Sequence, residues 1–339
     1  MNARRLIPTA TLAGAVTLGL VALSACSPSD AAAARKSDGK LAVTASFYPM
    51  QFLAERIGGD HVSVTTLTKP GVEPHDLELT PRQVAQLGEA EVILYLKGIQ
   101  PAVDEAITQS GVKNTVDATS LTTLEKHGTE VGHSHGDSHG DDHAGDQADA
   151  HATEESHSAG EEDALAGKDP HIWLDPVKYA EVAKGVGASL EKADPDNSAA
   201  YRKNTDALVK QLGGLDTAFK QGLADTTTKT FITTHAAFGY LAERYGLAQE
   251  AIAGIDPESE PSPARMKELE TIAEHDKVGT VFFETLASDK TAKTVAADSG
   301  LKTDVLDPLE GITDKSKGDD YIEVMNANLT ALRKALGAK

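Results

Sequence analysis

The chain has 339 residues, 40% of them hydrophobic, and a formal net charge of −20. That length and apolar content suffice for two domains with buried cores. The acidity excludes a nucleic-acid partner, which selects a basic face, and suits a soluble surface or a cation ligand.

Residues 1–25 read as an export signal: Arg4 and Arg5, an apolar run, then small residues ahead of a cysteine. Residues 6–25 approach the roughly 20 needed for a membrane span. However, "LSAC" at residues 23–26 resembles a bacterial lipobox, which implies cleavage before Cys26 and a lipid on its sulfur. Cys26 is the only cysteine, so no internal disulfide is expected. Residues 26–40, rich in Ala, Ser and Asp, read as a flexible tether.

Folded sequence starts at residue 41 with a predicted strand over 41–46, followed by a helix over "FLAERIGG" closed by Gly58 and Gly59. Residues 62–67 form a second predicted strand. "TPRQVAQLGEA" is a helix with Thr80 as N-cap and Pro81 at its first position, and residues 91–96 are a third strand. Strands alternating with helices imply a mainly parallel sheet flanked by helices.

From His127 to Gly167 there are seven histidines (His127, His133, His135, His139, His143, His151 and His157), eleven carboxylates, and no Lys or Arg. Little in that stretch can be buried, so the entropy of ordering it goes uncompensated. It is expected to be a disordered loop inserted in an N-terminal lobe of residues 41–193, and its composition is that of a metal-collecting tract.

Residues 194–224 are predicted to be one linker helix, with Asp194 as N-cap and Pro195 next. Tyr201, Leu208, Leu212, Leu215, Phe219 and Leu223 recur at helical steps along one face, while Gly213 and Gly214 threaten a bend in the middle. Residues 225–339 then repeat the α/β pattern: strand "TFITTH", helix "AAFGYLAERYGL", a helix capped by Ser262, strands "TVFFE" and "LKTDVLDP", and a closing helix. The expected architecture is α/β, with two parallel-sheet lobes bridged by one long rigid helix and a metal site in the cleft between them.

Three histidines outside the tract share a context. His75 follows the second strand, His171 lies in "DPHIWLDP", and His235 ends "TFITTH" where a helix begins. Asp307, in "DVLDPLEG", also follows a strand. Ligands of open parallel sheets bind beyond the carboxyl ends of strands. Three imidazoles and one carboxylate suit Zn2+, whereas manganese is better served by more oxygen donors. Taken singly, each histidine reads more readily as a surface or capping residue; the shared context is what singles them out.

The motifs "SFYPMQFLAERIGGDHVSV", "GVEPHDLELTP", "DPHIWLDP", "ITTHAAFGYLAERYGL" and "FFETLAS" together resemble the zinc-specific solute-binding lipoproteins of bacterial ABC importers. The resemblance covers nearly all of the chain from Val43 onward. It implies metal ligands at His75, His171 and His235, with Asp307 as fourth ligand and Glu73 or a water as the alternatives. Manganese-binding relatives carry a carboxylate at the position of His235, so the histidine there favours zinc. Glu284 in "FFETLAS" is expected to support the site, and Trp173 to pack in the core. Relatives also carry a His-rich loop in the first lobe, here expected to take up zinc weakly.

The implied function is delivery of zinc, outside the cytoplasm, to an ABC permease whose ATPase is another chain. No "GxxxxGK[ST]" occurs here. A monomer held at the membrane by its lipid is expected. The rivals are a manganese- or iron-binding homologue, an adhesin lipoprotein, a zinc buffer needing no permease, and an enzyme. For the last, neither "HExxH" nor another sustained hydrolase signature is present, and four protein ligands leave no open position for catalysis.

Overall fold

The computed structural model describes residues 39–127 and 167–339. The export signal, Cys26 and the histidines at 133, 135, 139, 143, 151 and 157 lie outside the described residues. Among those described, no helix is long and apolar enough to cross a membrane.

The first lobe holds strands β1 (Leu41–Ala45), β2 (Val62–Thr66), β3 (Val92–Tyr95) and β4 (Thr115–Asp117), in the order β2-β1-β3-β4 and all parallel. Helices α1 (Tyr48–Gly58), α2 (Pro81–Glu89) and α3 (Pro101–Ser110) make the crossovers that parallel pairing requires. Thr80 caps α2 as the sequence predicts, and Gln83 returns the bond, side chain to backbone in both directions. Helices α4 (Pro176–Ala193) and α5 (Ser198–Gly222) follow as a tight hairpin. The two come so close that a Cβ on Gly187 would lie 2.3 Å from Thr205 Oγ1.

The second lobe repeats the plan. Strands β5 (Thr230–Thr233), β6 (Ala248–Ala251), β7 (Thr280–Phe283) and β8 (Lys302–Val305) lie parallel in the order β6-β5-β7-β8. Helices α6 (Gly239–Tyr245), α7 (Pro263–His275) and α8 (Lys290–Ser299) connect them, and α9 (Tyr321–Ala335) closes the chain. In both sheets the strand order reverses beside the first strand, between β1 and β3 and between β5 and β7. Such reversals open a crevice beyond the strands' carboxyl ends.

Helix α5 bridges the lobes, packing on α1 of the first and α9 of the second. Its 25 residues span about 37 Å at 1.5 Å per residue. Tyr201, Leu208, Leu212, Leu215 and Phe219 form its buried face and join one apolar cluster that runs from Leu41 in β1 through Trp173 to Leu332 in α9. The helix is shorter at its start than predicted. Asp194 ends α4 instead of capping α5, and its Oδ2 accepts from Tyr201 Oη at 2.8 Å and Asn197 Nδ2 at 2.7 Å, fixing the turn between them. Gly213 and Gly214 lie inside α5 without interrupting it; nothing comes within 4 Å of their Cβ positions. Their propensity cost, about 1 kcal/mol each, is outweighed by the packed face opposite.

Candidate metal centre

His75, His171, His235 and Glu310 bring one donor atom each to within 4.8 Å of one another. Each stands past a strand end or in a loop at the crevice. His75 lies in the β2–α2 connection, with its backbone N–H donating to Glu73 Oε1 at 3.3 Å. His171 leads into a single 3-10 turn, Ile172–Leu174. His235 follows β5 by two residues, and its carbonyl accepts from Thr233 Oγ1 at 2.7 Å. Glu310 follows β8, just after Leu309, whose φ of 60° is the left-handed conformation that costs a non-glycine residue about 1–2 kcal/mol. Backbone strain of this kind collects at functional sites.

Two of the rings are fixed from behind. His171 Nδ1 is 2.7 Å from Asp169 Oδ1, and His235 Nδ1 is 2.6 Å from Glu284 Oε1. Glu284 is held in turn by Thr234 Oγ1. A carboxylate behind an imidazole fixes its tautomer and turns Nε2 toward a metal. The Nε2 atoms of all three histidines and both oxygens of Glu310 are buried without a hydrogen-bond partner. Such groups cost about 1–3 kcal/mol each when unsatisfied, so five in one spot call for an ion. Glu310 Oε1 lies 3.5 Å from His75 Nε2, 3.2 Å from His171 Nε2 and 3.4 Å from His235 Nε2. A tetrahedral zinc with bonds of about 2.0–2.1 Å sets its donors about 3.3–3.4 Å apart. The three carboxylate–imidazole separations match that spacing, and the whole donor set lies within 4.8 Å.

Asp307 is not among the four donors, and the expectation that it supplies the fourth is corrected. Its Oδ1 accepts the backbone N–H of Leu309 at 2.9 Å and its Oδ2 accepts from Thr285 Oγ1 at 3.2 Å. Asn328 braces the same turn, donating to the Asp307 carbonyl at 2.7 Å and accepting its N–H at 3.0 Å. Asp307 shapes the turn that presents Glu310. A signal for this was available: an Asp followed by Pro readily bonds the backbone two residues on, which leaves the next acid to turn into the crevice. Glu73 is not in the donor set either. Burial first, and then the charge of Glu310, push its carboxyl up to about 9. His127 is also drawn out of its expected place in the weak tract, for both ring nitrogens are engaged: Nδ1 with Asp169 Oδ2 at 3.2 Å and Nε2 with Glu243 Oε2 at 3.0 Å. Trp173 is fully buried, edge-on to Phe47, and donates from Nε1 to the Pro308 carbonyl at 2.7 Å.

The electrostatics set a pH response. Burial by itself would lower the pKa of His171, but the hydrogen bond and charge of Asp169, joined by Glu310, outweigh it and hold His171 above its ordinary value. In His235 burial is outweighed by Glu284 and then Glu310, and the ring is held well above the ordinary value. Burial would raise Glu310, yet the three imidazoles hold it well below the carboxylate range. A metal needs neutral imidazoles, so its binding displaces the protons these rings retain. Zinc affinity is expected to climb as pH rises through and above the ordinary imidazole range. The slope is up to about tenfold per pH unit for each proton displaced. The metal-free fold responds with the opposite sign. The raised histidines contribute stability that is complete below their unfolded pKa and lost as pH rises through the folded one. Chelator competition from about pH 5 to pH 8 reads the effect; a flat affinity contradicts a three-imidazole site.

A family model described as "Zinc-uptake complex component A periplasmic" matches residues 43–335. The chain is 35% identical over 306 residues to the zinc-binding lipoprotein AdcA of Streptococcus pneumoniae serotype 4 (strain ATCC BAA-334 / TIGR4), covering 88% of this chain. It spans only 56% of that relative's length. It is 36% identical over 324 residues to the high-affinity zinc uptake system protein ZnuA of Bacillus subtilis (strain 168), covering 94% of each. The crystal structure of the Zn(II)-bound ZnuA-like domain of Streptococcus pneumoniae AdcA matches at a TM-score of 0.67 and 32% identity, covering 88% of this chain and 99% of that one.

Proposed function

We propose, because this chain belongs to the family of zinc-uptake complex component A proteins, that it captures Zn2+ in its interlobe cleft and delivers it to an ABC permease. The observation that carries the reading is the buried quartet of His75, His171, His235 and Glu310, whose facing atoms find no hydrogen-bond partner in the protein. Three imidazoles and one carboxylate favour zinc over manganese, which is better served by oxygen donors. Adhesion is not favoured, since this donor set answers to a metal and not to a protein surface.

The family is one of extracytoplasmic transport components that work with ABC transporters. Attachment through a lipid on Cys26, the particular permease, and weak zinc capture by the histidine-rich tract belong to the proposal. The test uses the full chain purified without added metal. Metal content and Zn2+/Mn2+ competition are expected to give one tight zinc and further weaker ions. Deleting residues 128–160 should remove the weaker ions alone. Displacement of zinc by equimolar manganese, or loss of the tight ion on deletion, would overturn the reading.

A further inference from the structure

We infer that His127 is a positioning residue for the metal donor His171, acting on it through Asp169. The inference rests on the reading that His171 binds the metal.

Asp169 is fully buried and shares its two carboxylate oxygens between two histidines. Oδ1 accepts from the backbone N–H of His171 at 2.9 Å and lies 2.7 Å from its Nδ1. Oδ2 lies 3.2 Å from His127 Nδ1. The backbone of Asp169 is already pinned, its N–H donating to the Glu125 carbonyl at 2.9 Å and its carbonyl accepting from Tyr240 Oη at 2.8 Å. What that backbone leaves free is rotation of the carboxylate about its own bonds. The His127 contact on Oδ2 opposes that rotation and keeps Oδ1 on the His171 ring.

The slot for His127 is built. Its ring stands edge-on to Tyr240, centroids 4.5 Å apart. Gly239 leaves the room: a Cβ there would lie 2.2 Å from His127 Cβ and 2.8 Å from Asp169 Oδ2. On the far side, Nε2 meets Glu243 Oε2 at 3.0 Å. That glutamate is largely exposed, so the pair contributes little by itself, but it orients the ring so that Nδ1 faces Asp169. A line of contacts thus runs Glu243, His127, Asp169, His171, and ends in the metal donor set. Glu284 behind His235 is braced by Thr234 from the same lobe. Asp169 differs, because its brace comes from the residue that opens the histidine-rich tract in sequence and is seated on a helix of the other lobe.

Loss of a direct partner of a metal-bound histidine costs about 10–100-fold in affinity. A residue one contact further out should cost less, so His127→Ala is expected to weaken zinc about three- to tenfold. His127→Asn keeps an N–H where Nδ1 stands and should restore most of the parental value. The second readout is the visible absorption of the Co2+-substituted full chain, which reports the donor geometry. The His127→Ala bands should differ from the parent's, and the His127→Asn bands should not. If the parent itself takes up no tight zinc or cobalt, the proposed function fails and this inference falls with it. If the parent binds and His127→Ala matches it in affinity and spectrum, only the inference is overturned. Equal losses in His127→Ala and His127→Asn, with parental spectra and lowered melting of the metal-free protein in both, would also overturn it, by making His127 a packing residue.

Discussion

Replacing His171 or His235 with alanine is expected to cut zinc affinity by at least about 100-fold, because removing a donor must exceed the 10–100-fold lost with a donor's partner. Each substitution also strands the carboxylate behind the ring. Asp169 and Glu284 are both buried and both bonded to the lost Nδ1. The metal-free variants should therefore unfold at lower temperature than the parent, by the cost of one buried charge-assisted hydrogen bond, about 1.5–3 kcal/mol. His75→Ala should match them in affinity but not in stability. Its Nε2 meets Glu310, which keeps the other two imidazoles when His75 is lost, and its side chain is 10% exposed. Competition against a chromogenic chelator gives the affinities, and thermal melts of metal-free protein give the rest. Parental zinc affinity in any one of the three removes that residue from the site.

Glu310→Ala is expected to cost a comparable factor, about 100-fold, and to change the proton count as well. Glu310 is the contact that all three imidazoles share, and it helps hold His171 and His235 protonated in the metal-free state. Without it those rings titrate lower, so zinc uptake near neutral pH should release fewer protons and the pH slope should flatten. Asp307→Asn makes the contrast. An amide oxygen can still accept the Leu309 N–H that shapes the turn, so affinity should stay within about tenfold of the parent. Proton release measured in weakly buffered solution beside the chelator titration separates the two. Parental affinity in Glu310→Ala together with its loss in Asp307→Asn would return the fourth place to Asp307.

Much of this molecule is legible in its sequence, and the gaps have physical reasons. The central strands β1 and β3 are largely buried apolar runs, and the period along α5 marks its core face. The edge strands Thr115–Asp117 and Ala248–Ala251 escape notice because each is short and mostly half-exposed, which leaves little apolar pattern to read. The helix expected over "AAFGYLAERYGL" starts only at Gly239, because the Ala236 N–H pairs with the Gly254 carbonyl across the loops. For the site, His75 and His235 could be picked out by their place past strand ends, and His171 by its motif "DPHIWLDP". Asp307 and Glu310 are three residues apart in one loop, and which of them turns inward is decided by a hydrogen bond to Leu309 that spacing does not reveal. The link from His127 to Asp169 joins residues 42 positions apart, beyond any local pattern.

The four cleft donors come from positions 75, 171, 235 and 310. An unfolded chain therefore offers an ion one of them at a time, and bringing such distant points together costs loop-closure entropy. The donor set comes into being with the fold, so cleft binding and folding are a single linked equilibrium. At free zinc a thousand times the dissociation constant, occupancy adds about 4.1 kcal/mol to the native state. Loss of the ion removes that increment. The emptied protein is thus the form that opens more often, and proteases would meet it first.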